Sequence, residues 1–281
     1  MSKNGPDEQA WGQTPLVGEA EIFGSLGDRR GTSLFLGRYT LAEVSAVLEK
    51  KGLAREARKR GLWPLLMEVD ASDFPLHRLR LWAGAKTPEN LAVDLKVRQI
   101  VFDPREKNPS APLDPFPCLY FEWLTLQNPR QEFTGLRGPL PGQQHPGLGM
   151  SRKIMDVFIY LGRITRQDGL LAFPAFFHNA VLFSRYFRFL NPVKEAEVRS
   201  IHRLFAHVPI KPMAWIVHLG HLRTSSGEPY EWKAEEQVLP LRREVKAYFE
   251  SRAYREAVRE AMAGFSFEID GEAFVRVAQR D

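Results

Sequence analysis

One stretch constrains the fold more than any other. Met150, Ile154, Val157, Phe158, Leu161 and Ile164 recur at spacings of three and four, with Lys153, Asp156 and Arg163 on the other side. That period places the apolar residues on one stripe of a helix, and such a stripe must be buried against another layer. A helix is therefore expected over residues 150–165. Upstream, Leu91, Val93, Leu95 and Val97 alternate with Ala92, Asp94, Lys96 and Arg98. This is the two-residue period of a strand with one face on a core and the other toward water. A long amphipathic helix following strands requires an α/β or α+β domain, with a mixed central sheet flanked by helices.

Further strand-like runs cover 76–83 and 119–127, and the segment 103–117 carries too many prolines for a ladder. Thr40-Leu41-Ala42-Glu43 has the pattern of a helix capping box, which predicts a helix to Lys51, and a basic helix is expected over 54–60. The apolar run 170–174 leads into an expected helix over 179–189. Residues 213–222 read as a strand, 241–262 as a charged helix over a core surface, and 265–269 with 274–277 as a hairpin across Asp270-Gly271. The expected organisation is a loosely ordered lead-in over 1–38, a central domain over 39–225 and a C-terminal helical extension over 226–281.

Composition narrows the setting. The single cysteine, Cys118, excludes an internal disulfide and a four-cysteine zinc site, so a reducing, cytoplasmic location is expected. The polar N-terminus and the lack of any apolar run of membrane-spanning length predict neither export nor a membrane partner. The formal charge of +5 is spread through interleaved acids and bases. No basic stripe or recognised motif points to nucleic acid. His202, His207, His218 and His221 fall in one stretch, but on a strand His218 and His221 would project from opposite faces, so no metal site is expected.

Gln144-x-x-Gly147-x-Gly149 stands between a strand and the strongest helix. A pyrophosphate needs several converging N–H donors, and the first turn of a helix offers four together with the positive end of its dipole. Glycines at 147 and 149 remove the Cβ atoms that would hold phosphate away. Taken alone, the motif is equally a tight turn leading into a helix. Arg152 and Lys153 follow closely enough in sequence to add charge.

In this setting the motif resembles the acyl-CoA pyrophosphate loop of the GNAT acyltransferases, and residues 178–189 are similar to that superfamily's second motif, though Asn179 and Ala180 stand adjacent and no glycine precedes Phe189. The resemblance covers residues 65–225, with N- and C-terminal extensions outside it. It implies a GNAT-like fold and transfer of an acetyl or other short acyl group from acyl-CoA to an amine, on a small molecule or a protein, without a metal. It further implies that backbone at Leu124, Thr125 and Leu126 pairs with the pantetheine arm. The N–H groups of Gly147, Leu148, Gly149 and Met150 would hold the pyrophosphate, with Gln144, Arg152 and Asn179 contributing to the cofactor site.

Glu122 is the expected general base, because a carboxylate buried among Tyr120, Phe121, Trp123 and Leu124 would be a stronger one than in water. The family's usual acid is a tyrosine whose place falls here on Phe183 or Ser184, leaving Tyr186 as the substitute. The departures from the second motif keep a non-catalytic acyl-CoA-binding or partner-binding protein as the alternative. The segment 128–143 is long for a loop in a compact domain and is expected to act as a substrate-side lid.

Overall fold

The structure is a computed structural model that describes residues 34–108, 111–134 and 138–271. Residues 1–33 of the expected lead-in and the expected strand 274–277 lie outside the described residues. The fold is mixed α/β. Helices α1 (Leu41–Lys50) and α2 (Leu53–Lys59) precede strands β1 (Leu65–Asp70), β2 (His77–Ala83), β3 (Leu91–Phe102) and β4 (Phe116–Leu126). Then come α3 (Ser151–Ile164), β5 (Gly169–Ala172), α4 (Phe177–Phe183), β6 (Arg188–Phe189), α5 (Pro192–Leu204) and α6 (Ile210–His218). The chain continues through β7 (Leu222–Thr224), β8 (Gln237–Pro240), α7 (Arg243–Glu250), α8 (Arg252–Ala263) and β9 (Phe267–Ile269).

Seven strands form one mostly antiparallel sheet in the order β1-β2-β3-β4-β5-β8-β6, and β7 pairs with β9 separately. β4 and β5 are sheet neighbours, and α3 lies between them in the chain. The Asp168 N–H, just before β5, donates to the Pro117 carbonyl at the start of β4 (2.8 Å).

The chain divides into two compact units interleaved in sequence. The first takes the chain up to Gln99 with Phe121–Glu132 and His145–Leu161; the second takes Ile100–Tyr120, Phe133–Gln144 and the chain from Gly162 onward. In the first unit β1 and β2 pair antiparallel from Leu65 opposite Ala83 to Asp70 opposite Arg78. β2 pairs antiparallel with β3. The apolar stripe of α3 is buried at Ile154, Met155 and Phe158, and Phe158 meets Phe121 of β4 with ring centroids 4.7 Å apart. The face of β3 expected to meet water does so only in its second half, where Lys96 and Arg98 are partly exposed. Ala92 and Asp94 are buried, and the Asp94 carboxylate accepts two bonds from the Arg78 guanidinium (2.7 and 2.8 Å). A cross-strand charge pair of this bidentate kind is what lets a carboxylate be buried in a sheet.

In the second unit the C-terminal segment supplies more than helix: β8 lies between β5 and β6, and α8 packs on α5. Tyr248 and Tyr254 lie in the core, with their hydroxyls donating to the Leu190 and Phe189 carbonyls (2.9 and 2.6 Å). Three expectations are corrected here. Of the expected strand 213–222, residues 213–218 belong to α6, because the apolar run 213–217 carries no period that tells strand from helix, and only Leu222 enters a strand, β7, after the turn at Gly220, φ 71°. The expected helix 241–262 is broken at Ser251, whose hydroxyl accepts from the Tyr254 N–H and starts α8 anew. The helix expected over 179–189 ends at Phe183, and β9 finds its partner in β7.

Candidate functional site

The Gly147–Gly149 turn is built by residues of the first unit. At its start the Asn128 N–H, just past β4, donates to the Pro146 carbonyl (2.6 Å). At its end the Arg60 guanidinium donates to the Gly149 carbonyl (3.2 Å). A trans peptide sets its N–H opposite its C=O, so these two anchors turn the Gly147 and Met150 N–H groups away from Asn128 and Arg60. Gly149 adopts φ 65°, the left-handed conformation that a Cβ penalises, while Gly147 is exposed with nothing closer than 3.9 Å to where a Cβ would stand. Leu148 and Met150 point inward and are buried.

The first helical bond of α3 runs from the Ile154 N–H to the Met150 carbonyl (3.1 Å). Among the described residues, the N–H groups of Gly147 to Lys153 donate to no protein acceptor. Unengaged donors concentrated at the positive end of a four-turn helix have the geometry and charge that suit an anion. Cations surround it. Arg152 is exposed and makes no ion pair among the described residues, and the Lys153 ammonium lies 3.3 Å from where a Cβ on Gly52 would stand. Arg60 is shared between the Gly149 carbonyl and Glu56 (3.6 Å).

Leu124, Thr125 and Leu126 are the last residues of β4, half-buried, with the Leu126 carbonyl 3.9 Å from where a Cβ on Gly147 would stand. Glu122 lies on the same strand and in the same unit, but it is not buried. Its side chain is 30% exposed and its carboxylate pairs with Arg98 of β3 at 2.5 Å. The alternation that buries Phe121 stops there: Glu122 and Trp123 are both exposed, so this end of the strand is open on both faces.

No protein-family model matches this chain, and no curated protein is significantly similar to it. The residues themselves therefore carry the argument. Gln144, Asn179 and Tyr186 belong to the second unit. Gln144 is exposed, Asn179 is half-buried on α4, and Tyr186 lies past the end of that helix with the Arg185 guanidinium 5.9 Å from its ring. Arg60 and Asn128 were not among the sequence candidates. Arg60 comes from a basic helix 89 residues before the glycine whose carbonyl it holds, a pairing no local pattern encodes.

Among the described residues no three His, Cys, Asp or Glu side chains are grouped as metal ligands, and no helix is long and apolar enough to cross a membrane. Cys118 is fully buried, and burial pushes its thiol up to about 12, so it stays protonated at neutral pH.

Proposed function

We propose that this protein binds an acyl-CoA with its pyrophosphate on the Gly147–Met150 turn and transfers the acyl group to an amine. The observation that carries the reading is the set of unengaged N–H groups from Gly147 to Lys153, in a turn held by Asn128 and Arg60 and flanked by Arg152. The residues fit a diphosphate: glycine at 147 leaves room for close approach, and backbone donors together with an exposed guanidinium suit a dianion. When bound, acyl-CoA supplies a thioester carbon open to direct attack by an amine. The protein's own share is to bind phosphate, to orient the arm along Leu124–Leu126 and to accept a proton from the amine. Because Cys118 stays a protonated thiol in the core, a covalent cysteine intermediate is disfavoured and direct transfer is favoured.

Glu122 remains the proposed base, and it must exchange its Arg98 partner for the amine or for a bridging water. That prior engagement, with Tyr186 displaced from α4, favours the second reading as well: acyl-CoA binding without turnover. Free-thiol release from acetyl-CoA with a panel of small amines and lysine peptides separates the two. Transfer predicts amine-dependent release, lowered about 10²- to 10⁴-fold in Glu122→Gln with acyl-CoA affinity unchanged. Saturable binding without release supports the second reading. Release at full rate in Glu122→Gln means that the base lies elsewhere.

A further inference from the structure

The second unit contains a half-open cleft of about 570 Å³, walled by Phe176, Phe177, Tyr230 and Trp232 and floored by α6. Its polar handles are unevenly committed. The Trp232 indole N–H donates to the Pro174 carbonyl (3.2 Å), and the Tyr230 hydroxyl is hydrogen-bonded to Glu197. Both rings therefore offer the cleft aromatic surface and no free polar group. The rings form a connected set: Phe177 meets Trp232 edge-on at 5.7 Å, and Phe176 stacks on His178 at 5.4 Å and lies 5.9 Å from His218. Phe176 is itself fixed by close approach to Gly142, where a Cβ would stand 2.7 Å from its ring.

Three polar groups of the lining remain without a hydrogen-bond or ion-pair partner among the described residues: the imidazoles of His178 and His218 and the carboxylate of Glu231. His178 is 3% exposed, so a ligand that hydrogen-bonds its imidazole does so largely shielded from water. Burial, and then the neighbouring His218, holds the His178 imidazole down to about 4, so at neutral pH it is uncharged and can accept a hydrogen bond. Glu231 is exposed at the rim, the lining holds no lysine or arginine, and the Lys194 ammonium beside the Trp232 ring (4.2 Å) is neutralised by Glu197 (2.6 Å). Aromatic walls, an acceptor imidazole and an unopposed carboxylate select against anions and for a flat ring carrying a protonated amine.

We infer that this cleft is a binding site for arylalkylamines, with the ring between Phe176 and Trp232 and the ammonium directed to Glu231 and His178. The inference does not depend on acyl-CoA chemistry, and its test uses the full chain with no CoA present. Calorimetry at neutral pH with tryptamine, 3-methylindole and indole-3-propionate compares one ring bearing a positive, no and a negative charge. Tryptamine is expected to bind saturably and most tightly. Glu231→Gln, an exposed change that leaves packing intact, should weaken tryptamine about fivefold, the worth of one solvent-exposed charge pair, and leave 3-methylindole unaffected. His178→Phe, which keeps the stack on Phe176 and removes the acceptor, should weaken tryptamine also. Three results would overturn the assignment: no saturable tryptamine binding at millimolar concentration, equal affinity for tryptamine and indole-3-propionate, or tryptamine affinity unchanged in Glu231→Gln.

Discussion

Acidification from pH 6.5 to pH 4 is expected to remove about 3 kcal/mol of stability through His178 alone. In the folded protein its imidazole titrates at about 4, depressed by burial and then by His218, against an ordinary value of 6.5. Between those values the unfolded chain binds a proton that the folded chain refuses, so stability falls as pH falls and levels off below 4. Each unit of difference is worth about 1.4 kcal/mol, and the product approaches a third of the stability of an ordinary domain. His77, buried and lowered for the same reason, acts with the same sign, and so do carboxylates held low by partners. The contribution of His178 is therefore read as a difference. Denaturant unfolding of the wild type and His178→Phe across this range should diverge, with the variant losing less by about 3 kcal/mol at the acid end. Parallel curves would mean that the His178 imidazole is protonated in the folded state as readily as in water.

Gly147→Asp is expected to weaken acetyl-CoA binding about 100-fold while leaving the fold intact, since two like charges about 4 Å apart near a protein surface cost several kcal/mol and each 1.4 kcal/mol is tenfold. The position is exposed, its φ is not left-handed and a Cβ there meets nothing within 3.9 Å, so the side chain fits the free protein and conflicts only with the ligand. Gly149→Asp is a poorer probe: at φ 65° any side chain strains the backbone whether or not phosphate binds. Calorimetry with an unfolding scan on the same samples checks both halves. Equal affinities in wild type and Gly147→Asp would remove the phosphate from this turn.

Where local chemistry and tertiary demand agreed, the sequence was a good guide. Thr40 and Glu43 cap α1 reciprocally, with the Thr40 hydroxyl accepting from the Glu43 N–H (3.2 Å) and the Glu43 carboxylate from the Thr40 N–H (2.9 Å). β3 occupies Leu91–Phe102 as its alternation predicts, and α3 starts directly after the glycine turn. What failed had no period to read. β1 is six residues of Leu65–Asp70 with intermediate burial throughout, too short and too evenly half-buried to show alternation. The aromatic-rich segment after Asn179 is apolar without a clean period, and its helix ends at Phe183, where the turn into β6 takes over. At the candidate site Gly149 was legible because its left-handed backbone demands a glycine, whereas Gly147 was legible only as part of the spacing. Arg60, Asn128 and the Arg98 partner of Glu122 were not, since each acts on the site only through contacts the folded strands and helices create.

The central claim, that N–H groups of the turn from Gly147 to Lys153 hold a CoA diphosphate, is tested most directly by amide NMR of the full chain titrated with CoA. Free donors that acquire phosphate acceptors must shift, so the Gly147, Leu148, Gly149 and Met150 amides should show the largest saturable changes, followed by Ser151 to Lys153. Saturable shifts confined to other parts of the chain, or no shifts at millimolar CoA, would contradict it.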